Sequence, residues 1–141
     1  MSIEEKIREL VSEKFPGFSY VFEDWGTADV VMERVDLPAI ICILPVGGRL
    51  VFKNGRVRDS ENSAFAFVDK VERDANGEDN EAVYTRMKEV AGDFLSELMK
   101  CGFFEPLEDG VPYQTIYESL SVNVTGVFVE LTLKEVIGRC L

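Results

Sequence analysis

The chain contains no histidine. That removes the commonest general base, the Ser-His and Cys-His nucleophile pairs, and imidazole as a metal ligand. Cysteine is scarce: Cys42, Cys101 and Cys140 are scattered, with no CxxC pair. Their odd number, with no signal peptide, reads as reduced thiols in a cytosolic protein. Cys42 falls within an apolar strand, where packing rather than chemistry is expected. Positive charge is also in short supply, with 15 Lys and Arg against 26 Asp and Glu and a net charge of −11. Such a surface disfavours nucleic acid and anionic membranes, both of which are met by basic residues. The longest apolar run, residues 37–46, is too short to cross a bilayer.

What is present fits one folded domain spanning residues 1–141, long enough to bury a substantial core. Ser2 with Glu5 makes a capping box, and Ile3, Ile7, Leu10 and Val11 follow on one helical stripe that ends at Lys14. A second, longer helix is expected over residues 79–100. There Val83, Met87, Val90, Ala91, Phe94, Leu95, Leu98 and Met99 recur at steps of three and four, and Gly102 is placed for a left-handed cap. Residues 18–23 and 28–33 read as strands around an Asp24-Trp25-Gly26 turn. Residues 37–45 (LPAIICILP) read as a strand covered on both faces. Asn54-Gly55 between two short β segments is a strong hairpin signal. Residues 59–63 read as a polar loop and 64–71 as another strand, while 113–120 is open between strand and helical turn.

Residues 121–134 (SVNVTGVFVELTLK) form the longest expected strand and the expected spine of the sheet. Val122 and Val124 are apolar on one parity, whereas Val127, Val129, Leu131 and Leu133 are apolar on the other. Because a strand alternates strictly, the change predicts a β-bulge at Thr125-Gly126, in preference to two short strands broken by a bend at Gly126. The expected fold class is α+β: a mostly antiparallel sheet of about four to six strands with an extended hairpin, and two helices on one face.

Few patterns suggest chemistry. Glu72-x-Asp74-x-Asn76-Gly77 has the outline of half a calcium loop, but its twelfth position is Val83 instead of a bidentate carboxylate. Gly47-Gly48 runs on into a strand, which is not the context of a phosphate loop. Glu105, Glu108 and Asp109 sit in an exposed loop with nothing to raise a carboxylate pKa. No catalytic, metal-binding or cofactor-binding residue is assigned, and no enzymatic activity is expected. The conspicuous feature is basic. Arg49, Lys53, Arg56 and Arg58 fall within ten residues that contain no acid, in a chain with a large acid excess. This pattern suits either a solvated hairpin or a positive arm that meets an acidic surface, above all another copy of the same chain.

The order of an N-terminal helix (residues 3–14), the strand LPAIICILPVGG (37–48), the hairpin (50–58), FAFVDKVERD (65–74), the helix 81–100 and VTGVFVELTL (124–133) resembles the tail-terminator or tail-completion proteins of long-tailed bacteriophages and prophages. The resemblance lies in order and texture and has no catalytic signature. It implies a homo-oligomer, a hexameric ring capping the tail tube at the head–tail junction, with tail-tube and neck proteins as partners. It also implies neither catalysis nor cofactor, a place in the virion, and assembly in the bacterial host cytoplasm. The hairpin would then make contacts between subunits. The short C-terminal tail and segment 113–120 depart from the pattern, so a neck or head–tail connector protein stays open. So does a non-viral cytosolic interaction domain.

Overall fold

The computed structural model describes residues 2–137 and the backbone of residues 139 and 140. In chain order the elements are α1 (Ile3–Lys14), β1 (Ser19–Glu23), α2 (Trp25–Val31) with a 3-10 turn (Met32–Arg34), β2 (Ala39–Ile43), β3 (Gly48–Lys53), β4 (Arg56–Lys70), α3 (Gly77–Lys100), β5 (Tyr113–Ser119), β6 (Val124–Lys134) and β7 (Arg139–Cys140). The fold is α+β. The sheet runs β1-β2-β4-β6-β5, with β3 and the two-residue β7 added along the outer part of β4. Every pairing is antiparallel except β1 with β2.

Two helices cover one face, as their stripes require. Ile3, Ile7, Leu10 and Val11 of α1 and Val83, Met87, Ala91, Phe94 and Leu98 of α3 are buried against Ile40, Cys42, Phe65, Phe67, Val127, Val129 and Leu133 of the sheet. Phe94 is the hub, with ring centroids 5.0 Å from Phe65 and 5.3 Å from Phe67. Ser2 Oγ accepts from Glu5 N at the start of α1. A reciprocal capping box sits on α3, where Asn76 and Asp79 each accept from the other's backbone N–H. Asn76, one of the oxygen donors in the calcium-like pattern, is thus spent on the helix. Gly102 has φ +81° just past α3, the left-handed position foreseen for it.

The opposite face carries a second layer that corrects the reading of residues 28–33 as a strand. They belong to α2 and its 3-10 extension. Parallel β1 and β2 need a crossover, and a helix supplies one. Asp24 starts it: its carboxylate accepts from Thr27 N at 2.8 Å. Ala28 and Met32 then point inward onto Val21, Ala39, Ile41, Ala66, Val68 and Val124. The strand β2 is therefore covered on both faces, as its apolar run anticipates.

Residues 59–63, expected as a loop, are also strand. They lie in the middle of β4, which runs unbroken for 15 residues and is the true spine. Its polar stretch is held on both flanks, by β3 opposite Arg56–Glu61 and by β6 from Ser60 onward. The strands β2 and β3 share one flank of β4 end to end. Four residues, 44–47, span what two residues, 62 and 63, span on β4, so this segment is thrown outward.

The bulge expected at Thr125-Gly126 is absent from β6. Its pairing with β4 is regular from Lys134 to Val124. The change of parity has another cause, namely that both faces are buried at this end. Val124 faces the α2 layer, while Thr125 faces α3, and the polar groups of Thr125 and of Asn123, in the turn before β6, are both satisfied within the protein. Thr125 Oγ1 donates to Asn80 Oδ1 at 2.7 Å, and Asn123 Nδ2 donates to the Val71 carbonyl at 2.9 Å. The irregularity sits in the neighbouring strand, where the β5 register shifts between Ile116 and Ser119 and Glu118 takes φ 43°. Gly126 is needed for close approach: a Cβ there would overlap the Phe67 carbonyl oxygen and come 3.0 Å from Val68 Cα.

Candidate interaction surface

The Asn54-Gly55 turn has φ 52° and 72°, the positive pair of a type I′ turn, and it joins β3 to β4. Directly opposed residues of an antiparallel pair point to the same side. Lys53 opposes Arg56, Val51 opposes Arg58, and Arg49 opposes Ser60, which in turn opposes Lys134 of β6. All four predicted cations therefore lie on one face of the hairpin. The sequence reading missed Lys134, which extends that face onto the body; only the β4–β6 register reveals it.

The other face of the hairpin is apolar near its tip. Leu50 is 59% exposed and Phe52 67%, and every residue of β3 is exposed. Alternation in RLVFK contains this signal, cations on one parity and Leu50 and Phe52 on the other, although the short run does not reveal that the second parity stays uncovered. Two-sided amphipathicity is uncommon for a ribbon that projects from a sheet, because water is a poor solvent for one side.

The base of the ribbon is anchored. Glu135 Oε1 accepts from Asp59 N at 3.0 Å, and its Oε2 accepts from Lys6 Nζ at 3.0 Å, tying β4 to α1. Lys6 also lies 5.5 Å and 5.8 Å from the ring centroids of Phe103 and Phe104. Phe104 is buried in the core just past the end of α3. Arg58 Nη1 is 3.6 Å from Glu105 Oε1, so Arg58 is half-buried and partly engaged within the chain. Arg49 and Lys53 are exposed. Burial, then the neighbouring Asp59 and Glu135, raises the Glu61 pKa above the usual carboxylate range.

Beside the hairpin, the α2 layer stops short and leaves part of the sheet uncovered. A groove of about 620 Å³ opens there. Its floor includes Ala64, Phe128 and Glu130. One wall is the outward segment 43–46, with Val46 99% exposed. The other wall is 106–112, which carries Leu107, Glu108 and Val111.

Burial pushes the Cys42 thiol up to about 12 and also raises Tyr20, whose hydroxyl donates to Glu4 Oε1 at 3.2 Å. The side chain of Cys140 lies outside the described residues. Among the described residues there is no cluster of three potential metal-binding side chains, and no helix is long and apolar enough to cross a membrane. Neither a protein-family model nor a curated protein sequence matches this chain.

Proposed function

We propose that this protein is a ring-forming structural component of a bacteriophage or prophage, acting at the head–tail junction as a tail terminator or tail-completion protein. It acts by self-assembly and by binding tail-tube and neck proteins. The observation that carries this reading is the hairpin. It projects Leu50 and Phe52 into water on one side and presents Arg49, Lys53, Arg56 and Arg58 on the other. Burying an aliphatic or aromatic side chain contributes roughly 1.5–3 kcal/mol. The cations would steer the arm toward an acidic partner, and with a net charge of −11 a second copy is such a partner. Two further features agree with the resemblance in residue order: the α+β architecture, and two helices packed on one face of a mostly antiparallel sheet.

Light scattering over a wide concentration range, with negative-stain imaging, tests the proposal. The wild-type protein is expected to form closed rings. Reversing charge at the exposed pair, Arg49→Glu with Lys53→Glu, is expected to weaken assembly by about tenfold or more, or about 1.4 kcal/mol. A protein that stays monomeric at every concentration, with and without tail-tube protein, is incompatible with this function.

A further inference from the structure

We infer that the groove between residues 43–46 and 106–112 is the receptor for the hairpin of a second copy of this chain. The inference rests on the self-assembly reading above and adds to it the surface that receives the arm.

The match is one of chemistry side by side. The arm is two strands, β3 and β4, with the two-residue β7 alongside β4 at the tip, so it spans about 5–10 Å between outer strand axes. The groove floor is built from β4 and β6 with the end of β2 alongside, three neighbouring strands that span about 10 Å. One wall is apolar, formed by Leu44, Pro45 and the fully exposed Val46. The opposite wall carries Glu108 beside Leu107 and Val111, and the floor carries Glu130 beside Phe128, with Lys134 at its end. The incoming ribbon is divided the same way, with Leu50 and Phe52 on one face and Arg49 and Lys53 on the other. Inserted with its cations toward Glu108 and Glu130, it sets Leu50 and Phe52 against Leu44, Pro45 and Val46. The reverse orientation would set Lys53 against Val46 and away from Glu108 and Glu130, so the two carboxylates favour the first orientation.

Arm and groove are different surfaces, so the contact is heterologous. Each copy gives one arm and takes one, and the chain of contacts closes into a ring when the rotation permits. Any contact in which two arms pair with each other would leave the groove unused.

Mixing two one-sided variants tests this. Leu50→Asp with Phe52→Asp disables the arm and keeps the groove. Val46→Arg with Glu130→Arg disables the groove and keeps the arm. All four positions are exposed, so each variant is expected to keep the wild-type circular dichroism. Each alone is expected to self-associate at least about tenfold more weakly than wild type. Mixed in equal amounts, they are expected to form a species of two chains, twice 15.9 kDa, and nothing larger. One working arm then meets one working groove, and the remaining pair is dead. If wild type assembles but the groove variant assembles equally well, or the mixture stays monomeric, the receptor assignment is wrong and the ring proposal stands on another contact. If wild type itself never assembles, both fall.

Discussion

Gly126 was visible in the sequence as a special position, but its reason was not. Alternation on the two sides of Gly126 suggested a bulge, because a sequence states polarity and not which faces are covered. The structure covers both faces at that end. Thr125 and Asn123 are buried polar groups with partners on α3 and at Val71, distant in the chain and so invisible to a local pattern. The glycine instead lets two backbones close up. Gly126→Ala is expected to destabilise the fold by about 1–3 kcal/mol, read as a lower urea midpoint; an unchanged midpoint would mean that β4 and β6 are further apart than described. Glu61 gives a prediction of opposite sign. Its raised pKa means that the folded state holds the proton to higher pH than the unfolded state does. Stability is therefore lost as pH rises from the ordinary carboxylate value through the raised one. Glu61→Gln is expected to stabilise the protein at neutral pH and to have little effect at acid pH. Equal effects at both pH values would contradict that.

Elements with a local cause were legible. The Asn-Gly hairpin and both long helices carry their own signals, a turn pair or a stripe with caps. Elements whose cause is a neighbour were not. The helix α2 is rich in β-branched residues, and Val30-Val31 made it look like a strand, although Asp24 with Thr27 already offered a cap. Its inward residues, Ala28 and Met32, are four apart, as on a helix; in a strand Val30 would share their face. This separates the two structures by experiment. Met32→Ala is expected to cost about 2–5 kcal/mol, and Val30→Ala, at an exposed helix position, less than about 0.5 kcal/mol. Comparable losses at both sites in urea unfolding would favour a strand. The middle of β4 was hidden for a related reason. Asp59, Ser60, Glu61, Asn62 and Ser63 read as loop because they are polar, yet each is paired in the sheet, Ser60 and Glu61 on both flanks and the others on one. Segment 113–120 was undecided in sequence because it is an exposed edge strand with a bulge, and so has no clean period.

At the scale of the molecule, composition and order were enough for the α+β class and for two helices on one face. The candidate arm was legible for the same reason as the hairpin. Its four cations sit close together in sequence, and the turn type sets them on one side. The groove was not legible. Its walls come from a bulged link between β2 and β3 and from the segment after α3, and its floor from β4 and β6, so no window of sequence contains it. Its openness follows from α2 being short: seven helical residues cannot roof the whole second face.

The continuity of β4 has a mechanical side. One strand carries the hairpin at its outer end and the buried Phe65–Val68 segment at its inner end, with no joint between them. Its ladder hydrogen bonds lie across the strand direction. A pull on the arm along β4 therefore loads the rungs to β2 and β6 together, in shear, instead of opening them one after another. The arm behaves as a tie rod rooted in the core, so tension applied at the tip is passed to the body of the protein without a hinge to absorb it.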